Sequence, residues 1–248
     1  GTARPDEFPS LNSAFHLERA VMKNYVSCRL ATYGKFMDEA FEHLSSLGIM
    51  HAEVGVKGET EAEKLEDAKT LKQKLEAVGM QSASVQGAID LTADAPIDNF
   101  EVWCKVSELL GNDIIFLSVR GIEGQPKATY DLLKQLGDLV GRYDLKVAME
   151  THPDLVTNGD VGRRTMQNVD HPNIGINFDT ANIYYYNKET DTPTELQKVI
   201  DWVVAVHLKD TDGSYHGWCF PALGEGIVDF KRVFDMLNAR LFLGFQPV

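Results

Sequence analysis

Along the chain, short apolar runs alternate with amphipathic stretches, and the alternation returns about every 30 residues, the rhythm of βα units. The runs are NYVSCRL (24–30), MHAEVGV (50–56), MQSASVQG (80–87), DIIFLSV (113–119), KVAME (146–150), IGINFD (174–179) and VVAVHLK (203–209). Between them, apolar residues recur at three and four spacing, as in KFMDEAFEHLSSLG, where Phe36, Ala40, Phe41, Leu44 and Leu47 share a face. Gly48 follows that stretch as a helix stop, and Gly79 after LKQKLEAVG and Gly111 after KVSELLG repeat the signal.

Parallel βα units build either an open doubly wound sheet or a closed (β/α)8 barrel. No G-x-G-x-x-G follows the first run, and the only GEG, at 224–226, lies late and outside a strand-to-helix turn, so a dinucleotide fold has little support. The number of units and their even spacing favour the barrel. After DFKRVFDMLNARLFLG only FQPV remains, enough to begin an eighth strand but not to complete it or add its helix. The expected architecture is therefore an α/β TIM barrel incomplete at strand 8 and helix 8. It occupies 24–248 and follows an extension, 1–23, in which FPSLNSAFHLERAVMKN reads as a helix able to cover part of the gap.

Composition changes this picture in three ways. A hydrophobic content of 44% over 248 residues supports one large core. A net charge of −13 opposes a phosphate backbone, so nucleic acid is not an expected partner. Three cysteines, Cys28, Cys104 and Cys219, form no C-x-x-C pair, which suits packing in a reduced, cytoplasmic setting better than a disulfide framework. No apolar run approaches a membrane span, and GTARPDEFPS lacks the regions of a signal peptide, although a leader removed before Gly1 is compatible with this start.

In a barrel all strands aim their carboxyl ends at one mouth. Glu150, Asp179 and His207 end three successive runs at separations of 29 and 28 residues, one βα unit each. Two carboxylates and an imidazole converging there suit a divalent ion. Each has a plainer reading: Asp179 in NFDTAN as a helix cap, His207 as a satisfied core histidine. Glu150 has the weakest one, because a carboxylate closing so apolar a strand is costly to bury unless paired or coordinated.

METH, NFDTAN, HLKD and FPALGEGIVDF, in this order and spacing, resemble the sugar phosphate isomerase/epimerase family of xylose-isomerase-like TIM barrels, which includes ketose 3-epimerases and inosose dehydratases. The resemblance spans about residues 24–245. It implies that Glu150, Asp179 and His207 are three of four metal ligands. The fourth would be a strand-eight glutamate expected just beyond Val248. It also implies a metal-dependent isomerase or epimerase working by proton transfer beside a carbonyl through an ene-diolate, with Glu150 as acid/base and ligand. Mn²⁺, Mg²⁺ and Co²⁺ suit the donors, and Zn²⁺ is compatible. The rival readings are a dehydratase acting on keto-sugars or keto-inositols, and a non-catalytic carbohydrate-binding barrel lacking the fourth ligand.

Further candidates cluster at the same mouth. His152 and Lys209 stand two residues beyond Glu150 and His207, on the same side if the strands continue, and are assigned catalytic roles beside Glu150, His152 to bind a substrate oxygen or orient the site, while Lys209 reads equally as a solvated strand-end lysine. Glu53 and Arg120 end the second and fourth runs; Glu53 would contact a hydroxyl or pair with a cation, and Arg120 a phosphate or carboxylate. Asn182 stands where ketose epimerases of the family often carry histidine. His216 and Trp218, in SYHGWCFPALGEG, suit a sugar ring, and Glu225 is the nearest further carboxylate in sequence. The YYY at 184–186 reads equally as packing or binding, and KGETEAEKLEDAK as a solvated helix face. The expected partner is a small carbohydrate, with a homo-oligomer as one way to fill the barrel gap.

Overall fold

The structure is a computed structural model, and it describes residues 25–242. The helix expected before residue 24 and the FQPV segment lie outside the described residues.

All seven expected strands form: β1 (Ser27–Arg29), β2 (His51–Gly55), β3 (Gln81–Gln86), β4 (Ile114–Leu117), β5 (Lys146–Glu150), β6 (Ile174–Asp179) and β7 (Val203–His207). They pair in parallel, in the order of the chain. Helices α1 (Met37–Ser46), α2 (Glu61–Ala77), α3 (Pro96–Leu110), α4 (Pro126–Gly141), α5 (Gly159–Val169), α6 (Asn182–Tyr186), α7 (Thr192–Val199) and α8 (Phe230–Phe242) alternate with them, and short 3-10 turns follow β1 and precede β7. Gly48, Gly79 and Gly111 adopt the positive φ that their helix stops require. Helix α2, read as a solvated face, opens with a capping box in which Thr60 and Glu63 satisfy each other's backbone N–H groups.

Helices on one face of a parallel sheet bury both sides of its strands, which is why these runs are apolar at consecutive positions. Strand β6, IGINFD, is buried along its whole length. Val147, Met149, Ile115 and Ile176 belong to a core that also contains Leu133, Leu136 and Val140 of α4 and Phe100 of α3. Each such side chain contributes about 2 kcal/mol through burial.

Opposite the helices, the rows of the sheet turn inward. Arg29 pairs in register with Glu53, Glu150 with Asn177, and Asp179 with His207. The sheet curls so far that β2 and β7 touch across its interior: Glu53 Oε2 lies 3.1 Å from His207 Nε2. Among the described residues no helix is long and apolar enough to cross a membrane.

The ends of β5 and β7 leave His152 and Lys209 outside the sheet. Pro153 cannot donate to a ladder, and β5 stops at Glu150. β7 stops at His207, and the backbone of Lys209 is held instead by the Thr180 hydroxyl, which lies 2.9 Å from its N and 2.6 Å from its O. His152 and Lys209 therefore do not continue a strand face. They enter the mouth from loops.

Candidate active site

One ligand atom from each of Glu150, Asp179 and His207 lies within 4.8 Å of the others, so the three strand ends do converge. His207 Nδ1 is 3.3 Å from Glu150 Oε1 and 4.0 Å from Asp179 Oδ2. Burial disfavours charge on this imidazole, but the hydrogen bonds of Glu150 and Glu53 and the charge of Asp179 outweigh it and raise its pKa to about 9. For Glu150, burial pushes the other way, yet the His207 and Ser118 hydrogen bonds hold its carboxyl below the usual range. The Ser118 hydroxyl donates to Glu150 Oε2.

Asp179 turns its two oxygens to different partners. Oδ1 accepts the N–H groups of Ala181 and Asn182, at 2.9 and 2.8 Å, at the start of α6. Oδ2 faces His207 and Lys209. Burial raises the pKa of this carboxyl, only partly offset by Lys209 and the Asn182 N–H.

Around this centre the expected residues divide by what they touch. Lys209 Nζ donates to Asn182 Oδ1 at 3.1 Å and lies 3.8 Å from the Phe220 ring centroid. The Asn182 amide is engaged at both ends, its Nδ2 donating to Thr151 O at 3.0 Å. Glu53 is buried and takes the cation-pairing reading: Arg29 Nε lies 3.7 Å from its Oε1, and the Ser84 hydroxyl donates to Oε2 at 3.0 Å. His152 Nε2 meets the Tyr186 hydroxyl at 2.9 Å. Burial first, then the charge of Glu150, raises the pKa of that phenol, so it stays protonated.

Arg120 is exposed and lines a cavity of about 430 Å³ with Ser118, Thr92, Asp90 and Glu123. Ser118 is thus shared between that cavity and Glu150. Trp218, 81% exposed, stands edge-on to Tyr185 and Phe220, while His216 stacks on Tyr215 and leans on Tyr185. Tyr184 is instead buried. Glu225 is exposed on the loop between β7 and α8, as is Cys219. Cys104 is buried, and burial raises its thiol pKa to about 12, consistent with packing.

Three contributors were not anticipated. Asn177 Nδ2 stands 3.0 Å from His207 Nε2, and Ser118 reaches Glu150; small polar residues inside apolar runs carry no flag of their own. The third, Asp210, accepts N–H bonds from Gly224, Gly226, Val228 and Thr211, and so ties the GEGIV segment back to the loop that follows β7. Its place directly after HLK was the available signal.

Burial opposes ionisation of Asp210, but these four N–H groups hold its carboxyl below the ordinary range. A depressed carboxylate pKa stabilises the fold fully above the unfolded value, and that contribution is lost as pH falls through the folded one. Asp210→Ala is expected to cost about 2 kcal/mol at neutral pH and to flatten the acid limb of the stability profile. Urea unfolding from pH 7 downward measures both, and an unchanged acid limb would refute the assignment.

Residues 41–245 match the model of the family described as xylose isomerase-like TIM barrel. An inosose dehydratase of Lactiplantibacillus plantarum is 30% identical over 132 residues, 47% of this chain and 43% of that protein. An L-ribulose-5-phosphate 3-epimerase of Salmonella typhi is 28% identical over 148 residues, 58% of this chain and 49% of that protein. The matches thus span under half the length of these two relatives. A probable 3-DHS dehydratase of Bacillus anthracis superposes with a TM-score of 0.69 at 15% identity, over 87% of this chain and 89% of that one. The IolI protein, solved with a zinc atom, gives 0.67 at 18% identity, over 86% and 84%. At such identities the two structures speak for the fold.

Proposed function

We infer from the xylose isomerase-like TIM-barrel family, to which this chain belongs, that Glu150, Asp179 and His207 would hold one divalent ion and that the chain moves a proton at a carbon beside the carbonyl of a sugar or sugar phosphate. The observation that carries this reading is the meeting of the three donors, from three successive strands, within 4.8 Å. The donor set fits such an ion: Asp179 keeps Oδ2 free of the helix start, and a cation would offset the burial that disfavours its charge. The zinc atom in IolI and the epimerase and dehydratase relatives support it. When bound, the ion supplies Lewis-acid polarisation of the carbonyl, which acidifies the neighbouring C–H.

The residues of the chain divide the remaining work. Glu150, held ionised by His207 and Ser118, takes the proton from carbon. Lys209, fixed by Asn182 and Phe220, presents an N–H to a substrate oxygen. Arg120 and its cavity receive the far hydroxyls or a phosphate, and Trp218 with His216 offers an aromatic wall to the sugar carbons.

Elimination is the second reading, favoured by the Tyr186–His152 pair, a proton carrier close to Glu150. The same deprotonation, followed by proton delivery to a β-hydroxyl, would expel water as an inosose dehydratase does. Incubating the ion-loaded protein in D2O with ketoses, ketose phosphates and keto-inositols should place deuterium beside the carbonyl of at least one compound by NMR. Epimer formation against loss of water separates the two readings. Exchange in none of them would leave a carbohydrate-binding barrel.

A further inference from the structure

We propose that Glu53 and Asn177 are positioning residues for His207: they keep hydrogen on Nε2, so that the proton a divalent ion displaces is the one Nδ1 shares with Glu150, and Nδ1 is the nitrogen presented to the ion. This rests on the ion-holding reading above and assigns the ligand atom within it.

His207 Nε2 has two neighbours of opposite character, Glu53 Oε2 at 3.1 Å and Asn177 Nδ2 at 3.0 Å. A carboxylate only accepts and an amide NH2 only donates, so a single nitrogen cannot satisfy both as they stand. The charge-assisted bond to Glu53 is about twice as strong as a neutral one, and it prevails. Glu53 is committed to that role: it is buried, takes the Ser84 hydroxyl on Oε2 and faces Arg29 through Oε1. Nε2 therefore carries hydrogen.

Asn177 supplies an independent sign. Its Oδ1 is buried without a hydrogen-bond partner. Turning the amide over exchanges two groups of nearly equal shape. Oδ1 then accepts from Nε2–H, which removes the donor–donor conflict, while Nδ2 moves to the buried place that Oδ1 held. With Nε2 held by two acceptors, Nδ1 is the nitrogen left for an ion, on the side where Glu150 Oε1 and Asp179 Oδ2 lie.

The experiment is a long-range ¹H–¹⁵N correlation of histidine-labelled protein loaded with Zn²⁺, alongside calorimetric Zn²⁺ affinity. The expected spectrum shows His207 protonated at Nε2 with the ion-induced shift at Nδ1. Glu53→Gln should weaken Zn²⁺ about 10–100-fold and mix the tautomers, and Asn177→Leu should do so in part. Asn177→Asp, which keeps an acceptor, should retain the parent tautomer. Zn²⁺ on Nε2, or Glu53→Gln with parental affinity and tautomer, overturns the proposal while leaving the ion site standing. A His207 spectrum that Zn²⁺ does not alter removes the ion site itself. The parent spectrum decides the tautomer even if a variant fails to fold.

Discussion

Replacing Asp179 and His207 together by alanine is expected to abolish stoichiometric binding of a divalent ion, a loss above about 100-fold, since even outer-shell partners are worth 10–100-fold. Of the three donors within 4.8 Å only Glu150 would remain, and one carboxylate does not retain an ion against water. Elemental analysis after loading and dialysis reads the result. A double variant holding as much metal as the parent would remove the site. Because Asp179 Oδ1 also accepts the Ala181 and Asn182 N–H groups at the start of α6, the control is Asp179→Asn, which keeps that acceptor and removes the charge. It should fold as the parent does and still lose about ten-fold in affinity.

The second large effect concerns Glu150. Glu150→Gln should lower the rate of solvent deuterium incorporation by about 10³-fold, within the range for a general base. An amide can accept the Ser118 hydroxyl as the carboxylate does, so the fold around it should persist. Deuterium incorporation within ten-fold of the parent, in a variant that still carries its ion, would mean that another group takes the proton.

The fold was legible because parallel strands buried on both faces write themselves as unbroken apolar runs, and each run is followed by a helix with its own stop. The three strand-end residues were legible for the same reason: a charge closing KVAME or IGINFD stands out against its neighbours. Their neighbours were not. Asn177 is one polar residue in a strand buried throughout, and Ser118 looks like any loop serine until the curl of the sheet brings it to Glu150. His152 and Lys209 were placed at the correct end, but by a strand continuation that Pro153 and the Thr180 hydroxyl prevent. Glu53 carried two readings in the sequence. Only the approach of β7 chose between them.

That approach joins residues 154 positions apart. Contacts of such sequence separation form late in folding, because most of the chain must be ordered before they contribute anything in return. Glu53 comes from β2, and the three candidate donors from β5, β6 and β7, so no early or partial arrangement of these strands can assemble the full set. An ion bound there would favour the finished sheet over every less complete form, by mass action alone. Added to a refolding chain, it should leave the folding rate nearly unchanged and slow unfolding, so that the candidate site would double as the latch of the fold.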